Sequence, residues 1–126
     1  MRLSKKLLKK RFNEFNKKYF NEALIEPKFI VGGSKWTAGE FKCKYYTDIE
    51  DGKEYATELL NIRIYFSKRL IKNSKILDNI MLHEMIHFYG YYMNYDIEGL
   101  HGDYFLGMAE QINKDGYNIK EYYEEH

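Results

Sequence analysis

An α+β fold is predicted: one helix, then a short sheet, then two more helices. Three observations predict it. Residues 3–22 repeat apolar side chains at helical spacing. Residues 28–66 alternate them at strand spacing between Gly-rich turns. Residues 75–115 return to helical spacing. With 126 residues, 44% of them hydrophobic, one compact domain spanning 1–126 is expected. The 13 Tyr and 8 Phe make its core aromatic.

The first helix rests on Leu3, Leu7, Leu8, Phe12, Phe15, Tyr19 and Phe20, which recur on one face. Ser4 is the expected cap, with Leu3 outside it as an apolar staple. The other face carries Lys5, Lys6, Lys9, Lys10, Arg11, Lys17 and Lys18, either a solvated face or a polyanion contact. Asn21 and Glu22 begin the exit. Pro27, the only proline, prevents helix past Glu26.

Lys28–Val31 is a short strand ended by Gly32-Gly33. Glu40–Tyr45 alternates, with Phe41, Cys43 and Tyr45 facing in. Asp51-Gly52 suits a tight hairpin. Tyr55–Phe66 is the third strand, with Leu60, Ile62, Ile64 and Phe66 on one side and Asn61, Arg63 and Tyr65 on the other. A three-stranded, mainly antiparallel sheet is expected. Cys43 reads as a small core residue. Trp36, beside Gly32-Gly33 and Lys35, reads as packing on the sheet, with nucleobase stacking or filling the mouth of a cleft as alternatives.

Ser67 opens a short turn to Lys72, and Ser74 is the expected cap of a long helix, roughly 75–93. Gly90 is a point where that helix can kink or end. A polar loop, 94–100, leads to a final helix over 102–115, stopped by Gly116. The tail 117–126 is polar, and fraying is expected at its end.

Charge is uneven. Residues 1–75 hold 18 of the 20 Lys/Arg against 9 acids, net +9, and residues 76–126 hold 2 against 10, net −8. A basic surface from the first part and an acidic one from the second follow. The single cysteine excludes an intrachain disulfide and a thiolate zinc cluster, and fits a reducing compartment. No apolar run reaches the length of a membrane span, and the basic N-terminus lacks the apolar region of a signal peptide. A cytoplasmic or nucleoid-associated protein is expected; oligomeric state is not legible.

The chemistry lies in Leu82-His83-Glu84-Met85-Ile86-His87, an H-E-x-x-H pattern in a helix-forming run. On a helix His83 and His87 are i and i+4, one turn apart on one face, and can share one Zn²⁺. Glu84 lies about 100° round the axis, placed to take a proton from a metal-bound water without being a ligand. Two histidines on a buried helix can also be purely structural. A third ligand separates the two readings, because catalytic zinc takes three protein ligands and an open position. His101 follows after 13 intervening residues, at the start of a helix that can pack back along the first. Glu98, in the predicted loop, is the alternative, and His126 is terminal. Met93 stands where a metzincin would have its third histidine, which excludes that pattern.

The chain resembles the SprT-like metallopeptidases, a group that includes the DNA–protein crosslink protease Spartan. The matching residues are Phe15-Asn16, Tyr19-Phe20 and Leu24, then Thr37-Ala38-Gly39, Ile62, Ile64 and Ser67, then Leu82–His87, and last His101-Gly102 with Phe105. The resemblance implies a minimal zincin-like metallopeptidase core with His83, His87 and His101 on one catalytic zinc and Glu84 as general base. It implies a protein or peptide substrate and, for some members, proteolysis linked to DNA; the charge distribution makes the basic N-terminal half the expected place of a DNA contact. Only 21 residues follow Phe105 and none is Cys, so a domain without the C-terminal zinc ribbon is expected. Two other classes compete: a nucleic-acid-binding module that keeps a zinc site without proteolysis, and a structural zinc domain, which normally closes its metal with four ligands. Glu84 is needed by neither.

Overall fold

The structure, a computed structural model, describes residues 1–95 and 101–121. Its elements are α1 (Lys5–Tyr19), β1 (Lys28–Gly32), β2 (Gly39–Glu50), β3 (Lys53–Ser67), α2 (Ser74–Tyr92) and α3 (Asp103–Asn113). The fold is α+β, as the sequence predicts. The sheet order is β1-β3-β2, with β1 parallel and β2 antiparallel to β3. The sheet is therefore mixed, and its longer pairing is the antiparallel hairpin.

Helix α1 starts where Ser4 accepts a hydrogen bond from the amide of Leu7 at 3.1 Å, and Leu3 is buried outside that cap. The helix ends as Asn21 and Glu22 enter the left-handed region. Buried Asn16 then holds the returning chain. Its Nδ2 donates to Leu24 O at 2.8 Å, and its Oδ1 accepts from Leu24 N at 3.2 Å. The hairpin turns at Asp51-Gly52, both at positive φ, which is the mirror-image turn that matches strand twist.

Phe29, Ile64 and Phe41 are register partners across the three strands and share the inner face. A chain of rings locks the helices to that row. Phe12 of α1 meets Phe29 at 5.8 Å, Phe88 of α2 meets Phe41 at 5.1 Å, and Phe12 meets Phe88 at 6.4 Å. Phe12, Phe20, Phe66, Phe88 and Phe105 are fully buried, each contributing about 1.5–3 kcal/mol of burial. Helix α2 is buried without a break from Asn79 to Phe88, because the sheet, α1 and α3 all lie against it. Arg11 of α1 adds a bidentate ion pair to Asp78 of α2, with Nε–Oδ1 at 2.8 Å.

Five expectations change. The cap of α2 is Asn73, whose side chain accepts from Ile76 N at 2.9 Å, so Ser74 is the first helical residue. Leu60 does not face the core. The pairing steps from Lys42↔Arg63 to Lys44↔Leu60, two positions on β2 against three on β3, and Asn61 sits at φ 52. This bulge shifts the alternation, so Leu59 packs on the core and Leu60 is exposed. Trp36 does not pack on the sheet; it is 81% exposed. The tail is not simply polar, since Ile119 is buried. Helix α2 also continues through Gly90, and the left-handed residue that follows it is Asn94.

Candidate metal centre

Helix α2 carries His83 and His87 one turn apart, with Glu84 between them, and all three side chains are buried. His101 arrives from the segment that enters α3. Its Nε2 is 3.2 Å from Nε2 of His83 and 3.1 Å from Nε2 of His87. Four-coordinate zinc with bonds of 2.0–2.1 Å to nitrogen needs its donors about 3.3 Å apart. The three imidazoles are thus at ligand spacing, close enough to hold one metal ion. Glu98 and His126 lie outside the described residues.

Helix α3 supplies the support. Phe105, one turn after His101 and fully buried, has its ring centroid 4.7, 4.9 and 4.6 Å from those of His83, His87 and His101. It limits how far any of the three rings can tilt. The motif that contains Phe105 does not by itself assign it a task; its four-residue spacing from His101 is the signal in the sequence.

Each histidine must offer a neutral nitrogen to a metal. Burial first, then the neighbouring imidazole of His87, lowers His83 to about 3, against the opposing carbonyl of Lys120. Burial and His101 lower His87 to about 4. The Nδ1 of His83 faces the carbonyl oxygen of Lys120 at 2.7 Å. A carbonyl only accepts, so Nδ1 carries the hydrogen and Nε2 is left as a lone pair facing the other imidazoles.

Glu84 is oriented from the sheet. Its Oε1 accepts a hydrogen bond from the amide of Phe41 at 2.9 Å, and its Oε2 lies 3.9 Å from Nε2 of His83. Burial, reinforced by Glu40 and opposed by the Phe41 amide, raises its pKa to about 8. A cation at the histidines acts the other way and favours the carboxylate. The close approach of β2 to α2 requires Gly39. A Cβ there would lie 2.5 Å from Cγ2 of Ile80 and 3.4 Å from both Cγ and Oε2 of Glu84. Neither the Phe41 amide nor the steric role of Gly39 is legible from spacing.

The tyrosines on and beside α2 and α3 make their own contacts in the structure. Tyr104 donates to Ile86 O at 2.7 Å, Tyr89 packs on Phe20, and Tyr91 packs on Phe41 and Tyr45. Tyr95 lies against Tyr104, and Tyr92 lines an apolar cleft with Ile25 and Leu59. Cys43 is half-buried, and burial raises its thiol pKa, the opposite of an activated nucleophile.

A buried helix that presents two histidines, a third histidine brought in by the next helix and a carboxylate tethered to an edge strand define a metallopeptidase-like domain. The chain belongs to the SprT-like family, whose model matches residues 3–123. Comparison with curated proteins gives no match. Among the described residues, no helix is long and apolar enough to cross a membrane.

Proposed function

We propose that this chain is a zinc-dependent metallopeptidase that hydrolyses peptide bonds, with His83, His87 and His101 holding one zinc ion and Glu84 acting as general base. The observation that carries this reading is the convergence of three Nε2 atoms at 3.1 and 3.2 Å beside a carboxylate held by the Phe41 amide. Held by His83, His87 and His101, a zinc ion would supply Lewis acidity, lowering the pKa of a water and polarising the scissile carbonyl. Glu84 takes the proton from the attacking water and delivers it to the leaving amine. The Phe41 amide keeps the carboxylate aimed during both transfers. Strand β2 lies at one edge of the sheet, and its Gly39–Phe41 segment adjoins Glu84. An extended substrate backbone aligns along that edge.

The test is Glu84→Gln. It is expected to keep its metal and to lose about 10²–10⁴-fold in cleavage of a protein substrate. Retained cleavage would reject Glu84 as the base.

A DNA-associated protein is the proposed substrate class, and one specific feature favours it. Lys28 and Lys42 are the register partners of Arg63 on either side, so three cations stand abreast on the outer face of the sheet. Like charges directly opposite are unfavourable, and among the described residues the one ion pair in this row joins Lys42 to Glu40, at 3.3 Å. Arg63 Nε is buried with no hydrogen-bond partner among the described residues, beside a cleft of about 270 Å³ that Ile30, Glu40, Lys42 and Tyr65 also line. The Tyr65 hydroxyl accepts from Ser34 N, which ties this face to the loop bearing exposed Trp36. Cations with stackable rings suit a single-stranded nucleic acid. Cleavage of a DNA-binding protein is compared with and without single-stranded and double-stranded DNA. Stimulation by DNA supports this substrate class. DNA-independent cleavage indicates a general peptidase, and DNA binding by wild type without cleavage indicates a binding module.

A further inference from the structure

We propose that residues 117–120 form a strap belonging to the metal centre, positioning His83 through the backbone carbonyl of Lys120. The inference rests on the metal reading for its consequence, but the strap itself is defined by five contacts.

The chain leaves α3 and reverses at Gly116, whose φ of +98 is open to glycine and strained for other residues. Tyr117 then sets its ring edge-on against Phe15 of α1 at 5.7 Å. The amide of Asn118 donates to Oδ1 of Asn79 at 2.9 Å. Asn79 lies one turn before His83 on the same helix. Ile119 is held twice by Asn113, the last residue of α3: its amide donates to Oδ1 at 2.7 Å, and its carbonyl accepts from Nδ2 at 3.1 Å. The Ile119 side chain is buried. With residues 118 and 119 fixed from both sides, the next carbonyl, that of Lys120, meets Nδ1 of His83 at 2.7 Å.

The strap spans the two elements that bring the ligands together. Asn79 ties it to α2, which carries His83 and His87; Asn113 ties it to α3, which follows His101. A carbonyl at Nδ1 selects one of two imidazole tautomers and fixes the ring about its axis, the role outer partners have at metal-binding histidines. Nδ1 of His87 has no hydrogen-bond partner among the described residues. Of the two histidines on α2, it is thus His83 whose tautomer a backbone carbonyl selects. Asn79, Asn113 and Ile119 are positioning residues, acting through Lys120 and touching no substrate.

The experiment uses the full chain and three proteins: wild type, Asn113→Ala, which removes both bonds to Ile119, and Asn113→Asp, which keeps the acceptor and loses the donor. The tautomer of His83 is read by ¹⁵N NMR in metal-free protein, zinc affinity by competition with a chelating dye, and unfolding by heat without metal. Wild type is expected to hold His83 with its hydrogen on Nδ1. Asn113→Ala is expected to show a mixture of tautomers and zinc affinity weaker by about 10–100-fold, with Asn113→Asp between the two. If Asn113→Ala does not fold, the Asp variant carries the comparison. A lower unfolding temperature with unchanged tautomer and unchanged zinc affinity would make the strap merely structural and overturn the proposal. Hydrogen on Nε2 of His83 in wild type would overturn it as well. Failure of wild type to bind zinc would reject the metal reading, and the tautomer comparison would still decide the strap.

Discussion

Phe41 and Glu84, 43 positions apart, are joined by one hydrogen bond from the amide of the first to Oε1 of the second. The bond makes β2 part of the site. It turns a buried carboxylate toward the three histidines and sets its distance from them by the distance between strand and helix. That distance is in turn set at Gly39, where strand backbone and Ile80 leave no room for a side chain.

Gly39→Ala should therefore damage stability and site together. The added methyl overlaps Cγ2 of Ile80, and relief requires either β2 to move from α2 or the buried Ile80 side chain to repack. A loss of about 1–3 kcal/mol is expected from overpacking of this kind, read as a shift of the urea midpoint. Pairing it with Ile80→Ala should give a double variant destabilised by less than the sum of the singles, since each change relieves what the other causes. Strict additivity would mean that the contact at Gly39 does not set the spacing.

Metal should stabilise the protein by mass action, because the three nitrogens meet only in the folded chain. At zinc a hundredfold above its dissociation constant the gain is about 2.7 kcal/mol, measured as a rise in unfolding temperature. The rise is expected in wild type and in Glu84→Gln, whose ligands are intact. It should shrink in His101→Ala, which leaves only the pair on α2. An undiminished rise in that variant would remove His101 from the ligand set.

The row of Lys28, Arg63 and Lys42 should show itself in salt dependence. For a single strand, each phosphate contact contributes about 0.7 to the slope of log affinity against log salt. Arg63→Ala is expected to weaken binding of an unstructured oligonucleotide and to flatten that slope by about this amount. Lys10→Ala, on the far face of α1, serves as the comparison. An equal effect from Lys10 would assign the contact to the basic helix instead of the sheet.

The sequence alone settled what is local. Ser4 caps α1, Asp51-Gly52 turns the hairpin, and His83 and His87 share one face, because one turn of helix or one tight turn fixes neighbours within a few residues. Even here Asn73 and Ser74 were exchangeable by pattern, since both can cap and only the backbone decides which does. Tertiary structure decided what lies far apart in the chain. It turned Leu60 outward by a bulge at Asn61, left Trp36 in solvent, brought His101 between the two helical histidines, and set the Phe41 amide and the Lys120 carbonyl at the site. Those placements depend on packing of whole elements around a shared core, and backbone amides and carbonyls, being common to every residue, leave no mark in the order of side chains.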